Sequence, residues 1–197
     1  VLDLGAVTGA TLSINQPTQT TGLVTLRSNY VAPGEGGATQ IITLGIDPDF
    51  FSTYQTEIVA GRGFSAALDQ PAAIFQQQPG GPPPNKVVIN VSASRLLGFA
   101  SPEAAINSLV RFTDNITGET HDLTIIGVAA DTNFYSMNAV PRFETYIFSP
   151  VFTDVLSVRF EGNAQEVLEQ VTEVWRSVMG DAELSSSFVA QNMEAEF

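Results

Sequence analysis

Short runs of apolar or alternating apolar and polar residues are the main pattern of this chain. A period of two is typical of β-strands, because successive side chains of a strand point to opposite faces. A hairpin-type turn is expected at residues 114–119 (DNITGE). The pattern predicts strands at about residues 10–14, 23–26, 40–46, 58–60, 86–89, 109–112, 123–130, 156–160 and 184–190.

Helical signals interrupt this pattern at a few places. We interpret Asp47 as the N-cap of a short helix, with Pro48 at its first position and Phe50 and Phe51 on one face. Further short helices are predicted at residues 92–97 and from residue 102.

The clearest helix is predicted at residues 164–179, between Asn163 as its cap and Gly180 as its stop. The strands predicted before and after it would make a β-α-β unit, with a right-handed crossover if they share a sheet. The apolar stripe of the helix would then lie on that sheet. The stripe consists of Val167, Leu168, Val171, Val174, Trp175 and Val178.

Two segments rich in proline and glycine are predicted to be loops. Residues 32–37 (APGEGG) could suggest a phosphate cradle, but a strand-like run follows them where a helix would be needed. Residues 70–85 (QPAAIFQQQPGGPPPN) lack the donors and restricted backbone of a regular element, so we expect an exposed, mobile loop.

Composition narrows the possible functions. Hydrophobic residues make up 44% of the chain, which is ample for a packed core. The formal net charge is −13, which disfavours nucleic acid and anionic membrane surfaces as partners. There is no cysteine, so disulfides and thiolate metal sites are excluded.

Candidate catalytic groups are present but do not form a motif. His121 is the single histidine, and with no G-x-S-x-G elbow we interpret it as a surface residue. A two-carboxylate hydrolase remains an alternative, and a cleft holding two of its candidates would favour it. Those candidates are Asp47, Asp49, Asp131 and Glu144.

Four segments, taken in order, resemble the periplasmic core domain of MacB-type, FtsX-like ABC transporter permeases. They are residues 49–64 (DFFSTYQTEIVAGRGF), 87–98 (VVINVSASRLLG), 125–137 (IIGVAADTNFYSM) and the last strand–helix–strand region from residue 156. The resemblance covers most of the chain from Asp47 onward. Asn107 stands where the family often has glycine, and asparagine tolerates the left-handed backbone that such a turn needs.

The resemblance implies an α+β fold with two subdomains. A porter-like β-α-β subdomain would be built from both chain ends, residues 1–46 and 141–197. A smaller mixed α/β subdomain, residues 47–140, would be inserted between them and would carry the loop at 70–85.

The resemblance also implies a function without catalysis. The domain would couple ATP-driven movement of membrane helices to substrate handling or to a periplasmic partner protein, as in efflux pumps, with ATP hydrolysis on a separate cytoplasmic subunit or domain. It would lie on the outer side of the bacterial inner membrane, anchored by flanking membrane helices absent from this chain. We expect no cofactor, no metal and no nucleic-acid partner. A ligand-sensing module is the other alternative.

The chain opens with VLDLGAV, without an initiator methionine or a basic segment, so we expect a piece of a longer protein or a mature secreted protein. We expect Arg62 to form a partly buried ion pair with a carboxylate, with Asp131 as the candidate. The resemblance assigns structural roles, and no catalytic, cofactor or metal role, to Phe50, Phe51, Gly61, Arg62, Phe64, Asn90, Gly98, Gly127, Asp131 and Trp175.

Overall fold

A computed structural model describes residues 1–15, 26–31, 38–71, 85–113, 118–132, 142–149 and 155–189. Its strands are β1 (Val7–Ser13), β2 (Leu26–Val31), β3 (Thr39–Ile46), β4 (Ile58–Gly61), β5 (Lys86–Asn90), β6 (Leu109–Thr113), β7 (Thr120–Ala129), β8 (Glu144–Phe148) and β9 (Val155–Phe160). Its helices are α1 (Phe50–Thr53), α2 (Val91–Leu96), α3 (Pro102–Ala105) and α4 (Ala164–Met179).

All nine of these strands belong to one mixed sheet, which closes on itself. Neighbouring strands follow the order β2-β6-β7-β5-β8-β3-β1-β9, and β4 pairs with β7 beside this path. Since β2 also pairs with β3, six strands form a closed, barrel-like ring. The β3–β8 and β5–β7 pairs are parallel and the others are antiparallel. The strands β1 and β9 extend from the ring at β3.

Two apolar clusters lie on opposite faces of this sheet. Along β5, Val87 and Ile89 belong to one cluster and Val88 to the other, as the alternation of a strand requires. The first cluster takes in side chains of α2 and α3, and the second takes in Phe50 and Phe51 of α1. Each face of the sheet is therefore sealed by short helices.

Tyr30 is a polar point within the first cluster. Its ring is fully buried, and its hydroxyl lies 3.0 Å from the Thr43 hydroxyl and 2.7 Å from the Thr145 hydroxyl. Burial raises the pKa of Tyr30 to about 12, and the two hydroxyl contacts oppose that shift. These hydroxyl contacts join β2, β3 and β8 inside the closed ring of strands.

The structure confirms the α+β class and most of the predicted elements. Helix α4 has the predicted bounds, Asn163 accepts hydrogen bonds from the first turn, and Gly180 follows the last turn. The strand predicted at 10–14 begins three residues earlier than expected, at Val7. Of the strand predicted at 23–26, only Leu26 lies in the described part of the chain, and it opens β2.

Three predictions about elements were wrong. Strand β8 was not predicted at all. Residues 184–189 hold no strand, so the β-α-β unit lacks its second strand in the described part of the chain. Helix α1 begins at Phe50 after Asp49, and not after Asp47. The loop at 32–37, residues 72–84 of the proline-rich loop and residues 114–117 of the hairpin turn lie outside the described residues.

The predicted division into two subdomains stays a prediction. Strand pairs such as β5–β8 and β2–β6 join residues on either side of the boundaries at 46 and 140. Within the described ranges, none of the helices is both long enough and apolar enough to cross a membrane.

Candidate functional site

The segment that contains the first family-like motif, residues 47–64, begins with a carboxylate that ties α1 to β1. Asp47 accepts hydrogen bonds from the Thr11 hydroxyl, from the Leu12 backbone N–H at 2.8 Å and from the Asp49 N–H at 3.0 Å. Asp47 is therefore a turn residue before the helix, because its side chain is hydrogen-bonded to β1. Asp49 occupies the N-cap position but makes no side-chain cap.

Helix α1 lies across the two outermost strands of the path. The Tyr54 hydroxyl donates to the Ser157 hydroxyl of β9, and the Arg159 guanidinium donates to the Thr53 carbonyl at 3.4 Å. On β1, a Cβ added at Gly9 would lie 3.2 Å from the Thr53 hydroxyl oxygen, so the helix packs closely against that strand. Burial raises the pKa of Tyr54 to about 12, and the hydrogen bond with Ser157 opposes this rise.

The aromatic side chains of this segment pack on β8. The Phe50 and Phe51 ring centroids lie 5.7 and 5.1 Å from that of Tyr146, and Phe64 lies 6.1 Å from Phe148. These distances are within the range in which tilted and edge-to-face aromatic pairs attract. The first motif is thus anchored on a strand that sequence reasoning missed.

Tyr146 leads directly to a buried carboxyl group. Its hydroxyl donates to Glu144 Oε2 at 2.7 Å, and Glu144 is only 3% exposed. Burial raises the pKa of Glu144 above its ordinary value. The Tyr146 hydrogen bond and the Arg142 charge oppose that rise, while the Asp131 charge adds to it.

Asn90 joins β8 to the start of α2. Its side-chain oxygen accepts from the Ala93 N–H at 2.8 Å and from the Glu144 N–H at 3.2 Å, and its amide donates to the Arg142 carbonyl at 2.7 Å. The first of these bonds is an N-cap of α2. Asn90 is 1% exposed, and its bonds to Ala93 and Glu144 are buried while the bond to Arg142 is partly buried.

Asp131 holds the same helix end from the β7 side. Its carboxylate accepts from the Ser92 N–H at 2.9 Å and from the Ser92 hydroxyl at 2.8 Å. Residues of three predicted motifs therefore meet around β8. We call this set the β8 network: Phe50, Phe51, Asn90, Asp131, Glu144 and Tyr146.

Two glycines explain the Gly61-Arg62-Gly63-Phe64 corner. Gly61 has a φ of +68°, and a Cβ there would lie 2.3 Å from the Ile126 carbonyl oxygen. A Cβ at Gly127, on the facing strand, would lie 2.1 Å from the Arg62 carbonyl oxygen. Both positions need glycine because the two backbones approach too closely for any side chain. The corner is a packing feature between β4 and β7.

The expected ion pair between Arg62 and Asp131 is wrong. Arg62 pairs with Asp69 instead, through contacts of 2.6 and 2.9 Å, and Lys86 reaches the same carboxylate at 2.6 Å. Asp69 is 2% exposed at its side chain and also accepts from the Ser65 N–H. The Arg62 hydrogen bonds, with those from Lys86 and Ser65, hold the pKa of Asp69 far below its usual range.

An open pocket of about 640 Å³ lies beside this ion pair. The pocket is lined by the β4–β7 corner and by the turn before β6. In that turn, Asn107 has a φ of +64°, which is the left-handed backbone predicted for it. The lining residues are Gly61, Arg62, Asn85, Lys86, Ile106, Asn107, Asp122, Thr124 and Ile126.

The carboxylates considered for hydrolysis are placed differently. None of Asp47, Asp49, Asp131 and Glu144 lines the open pocket. Asp47 and Asp131 are occupied by backbone and hydroxyl donors, and Glu144 is buried under Tyr146. Among the described residues, no group of three or more acidic, histidine or cysteine side chains could hold a metal ion.

The remaining predicted residues lie apart from the β8 network. His121 stacks on Phe112 at 6.2 Å, with Glu119 3.6 Å away. Gly98 follows α2 with a φ of +82°. Trp175 lies half-buried on α4, and its indole N–H donates to the Ala182 carbonyl at 2.9 Å.

Comparison with known proteins identifies the family. The sequence matches the family model of the MacB-like periplasmic core domain over residues 5–183. The chain belongs to this family. It is a periplasmic core domain of the kind found in MacB-like ABC transporter permeases. No curated protein matches the sequence.

Solved structures with the same fold agree with this assignment. The periplasmic region of MacB from Actinobacillus actinomycetemcomitans superposes with a TM-score of 0.58 at 16% identity, covering 90% of this chain and 70% of that one. A domain of a putative permease from Porphyromonas gingivalis gives 0.57 at 18% identity, covering 91% and 68%. The extracellular domain of the ABC-type transporter YknZ from Gram-positive bacteria gives 0.51 at 16% identity, covering 92% and 81%.

Sequence reasoning missed Asp69 and Tyr146, and it considered Glu144 only as a candidate for hydrolysis. Asp69 follows a Gly-Arg-Gly corner by only a few residues, and that local spacing to Arg62 was a usable signal. The link between Glu144 and Tyr146 carried a weaker signal, a glutamate two residues from a tyrosine, because strand β8 itself was not recognised.

Proposed function

We propose that this domain is a non-catalytic coupling element of an ABC transporter permease. It would transmit ATP-driven movement of flanking membrane helices to a transported substrate or to a periplasmic partner protein. ATP hydrolysis would take place on a cytoplasmic subunit or domain. The observation that carries the proposal is the position of α1, which contacts β1, β9 and Tyr146 of β8 at once.

The first and last strands form one unit under α1. The β1–β9 ladder runs from Val7 opposite Phe160 to Ser13 opposite Val155, and the Glu161 N–H extends it to the Ala6 carbonyl at 2.9 Å. Because a hydrogen-bonded antiparallel pair resists sliding, a displacement of either strand would be shared by both. Asp47 and Tyr54 would then pass it to α1.

From α1 the path continues into the ring. Phe50 and Phe51 press on Tyr146, and the β8 network holds the N-terminus of α2 through Asn90. Packed cores transmit displacement because they lack room to absorb it. The carboxylates along this path are engaged in structure, which supports a mechanical role over an acid–base role.

The two-subdomain division remains part of this proposal. Residues 1–46 with 141–197 would form the porter-like part, and residues 47–140 the inserted part. The pocket beside Arg62 lies within the inserted part.

Hydrogen exchange in the whole permease tests the coupling role. The permease carrying this domain, with its ATPase, would be placed in lipid nanodiscs and trapped with ATP and vanadate. We expect the exchange of β1 and β9 amides to change together on trapping, because they share one ladder. A permease with a hydrolysis-deficient ATPase, given vanadate and ADP, is the control. If an ATPase-active permease showed the same amide exchange in its domain with and without vanadate trapping, the proposal would be overturned.

A further inference from the structure

The open pocket beside Asp69 is lined by two basic side chains of a strongly acidic chain. The chain has 8 basic and 21 acidic residues, yet Arg62 and Lys86 both line this cavity of about 640 Å³. A cavity of this size is large enough to hold a small organic molecule. Two cations at one cavity of such a chain favour a ligand of negative charge.

Asp69 fixes both cations without cancelling their charge. Its carboxylate accepts from Arg62 and from Lys86 and is only 2% exposed, so it holds them from the buried side. The side chains of Arg62 and Lys86 are themselves 38% and 32% exposed. The lowered pKa of Asp69 keeps it ionised, so the three groups together carry one net positive charge. A ligand would bind two side chains that Asp69 has already ordered, which lowers the entropic cost of binding.

Both cations have N–H donors left for a ligand. An arginine side chain has five such donors and a lysine side chain has three. Arg62 uses three of its five on Asp69 and the Gly63 carbonyl. Lys86 uses two of its three on Asp69 and the Leu68 carbonyl. The other three donors have no acceptor among the described residues. Because Arg62 and Lys86 both donate to Asp69 Oδ1, they lie close enough together for one further carboxylate to reach both.

Apolar and neutral polar groups make up most of the remaining lining. Ile106 and Ile126 supply apolar surface, while two asparagines and Thr124 supply amide and hydroxyl groups. Asp122 also lines the pocket, but its carboxylate is paired with Arg111 at 3.2 Å, which weakens its repulsion of an anion. An apolar lining with a few charged groups that orient the ligand is typical of small-molecule sites.

We propose that this pocket binds a small organic carboxylate. The carboxylate contacts Arg62 and Lys86, and the apolar part of the ligand lies against Ile106 and Ile126. The inference goes beyond the proposed coupling role and does not depend on it. Arginine binds a carboxylate through its planar fork of donors and lysine adds a compact charge, so a neutral or cationic molecule of the same shape would lose both interactions.

Titration with benzoate, followed by ¹H–¹⁵N NMR of the 197-residue chain, tests the proposal. Benzoate joins a carboxylate to a small apolar ring, and benzamide and benzylamine are its matched neutral and cationic controls. We expect saturable shifts of the Gly61, Asn107 and Thr124 amides with benzoate. The Kd should be on the order of 1 mM, because so small a ligand has few atoms to bury. Added sodium chloride should weaken binding, and both controls should give much smaller shifts.

Lys86 provides a second measurement on the unaltered protein. It is the only lysine of the chain, so an amine-selective acetylating reagent modifies only Lys86 and the N-terminal amine of Val1. Peptide mass spectrometry separates the two products. Saturating benzoate should slow acetylation of Lys86 at least twofold and leave that of Val1 unchanged.

Variants locate the binding surface. Arg62→Gln should weaken benzoate binding about fivefold or more, because it removes a charged donor fork. The matched control is Arg95→Gln, which removes the same charge from an exposed residue of α2 and should leave binding unchanged. Lys86→Met, which leaves the pair of Arg62 and Asp69 in place, should also weaken binding. Circular dichroism verifies the fold of each variant, and Lys86→Met carries the test if Arg62→Gln does not fold.

Four outcomes would overturn the proposal. They are no saturable shift with benzoate, equal shifts with benzamide, equal shifts of the same amides with inorganic phosphate, and unchanged benzoate affinity of the folded variants at Arg62 and Lys86. Phosphate carries charge without an apolar part, so equal shifts would mean unselective attraction of anions. These titrations use no ATP, so their failure leaves the hydrogen-exchange test of coupling unaffected.

Discussion

Gly127→Ala tests whether the β4–β7 corner is as tight as the structure shows. The added Cβ would lie 2.1 Å from the Arg62 carbonyl oxygen and 2.9 Å from its carbonyl carbon. Because both obstacles are backbone atoms, no side-chain rotation can relieve the contact. The strands must separate by about 1 Å, which is a form of overpacking that costs about 1–3 kcal/mol.

The separation also weakens the hydrogen bonds around the corner. The Arg62 N–H donates to the Ile126 carbonyl at 3.0 Å, and the Ala130 N–H donates to the Glu57 carbonyl at 2.8 Å. Each such bond contributes about 1 kcal/mol net. With the overpacking cost, the free energy of unfolding should fall by about 3 kcal/mol. For a domain of this size that corresponds to a Tm lower by roughly 6–12 °C.

Urea unfolding monitored by Trp175 fluorescence and by circular dichroism measures this change. Gly5→Ala is the matched control, since a Cβ at Gly5 meets nothing within 4 Å and its backbone needs no positive φ. That variant should be neutral or slightly stabilising, because alanine restricts the unfolded chain. If Gly127→Ala unfolded within about 0.5 kcal/mol of the parent, the close approach of β4 and β7 would be refuted.

Three further predictions concern buried polar groups. Asp69→Asn should lower the free energy of unfolding by about 2 kcal/mol near pH 7 and flatten the acid limb of a pH–Tm curve. The lowered pKa of Asp69 stabilises the fold above about pH 4, and this stability is lost as pH falls toward the pKa of Asp69 in the folded state. An unchanged acid limb would count against this role of Asp69. Glu144→Gln should raise Tm more at pH 8 than at pH 4.5. Because the pKa of Glu144 is raised, the folded protein is most stable while Glu144 is protonated and loses stability as pH rises through that pKa. An equal change in Tm at the two pH values would contradict this. Asn90→Ala should cost about 2–3 kcal/mol in urea unfolding, because it removes a cap, a buried bond and a partly buried bond, whereas the exposed cap variant Asn163→Ala should cost only about 1 kcal/mol. Similar losses for the two variants would argue against the buried role of Asn90.

Features set by local sequence could be predicted. Helix α4 has a strong amphipathic period, a side-chain cap at Asn163 and a stop at Gly180, so its bounds followed from those residues alone. Asn107 could be assigned a left-handed backbone because few other residues tolerate it. Helix α3 also begins at residue 102 as predicted, where the Ser101 hydroxyl caps it.

Features set by contacts distant in sequence could not be predicted. Asp47 has every local property of an N-cap, but β1 takes its carboxylate, and that strand is 35 residues away. Strand β8 is buried on both faces and includes Glu144 and Thr145, so no alternation of polar and apolar residues marks it. The Arg62 pair is a different case, because its partner Asp69 lies only seven residues further along the chain.

The position of α1 explains why an apolar segment without catalytic groups can still be a functional signature. The helix and Tyr54, which follows it, contact the β1–β9 pair on one side and Tyr146 on the other. A change at Phe51 would alter packing on β8, and a change at Tyr54 would remove a contact with β9. Under the proposed coupling role, selection on such a helix would act on shape and rigidity, because transmission through packed side chains fails once a cavity absorbs the displacement. The β8 network and the β1–β9 ladder would then be two ends of one rigid connection.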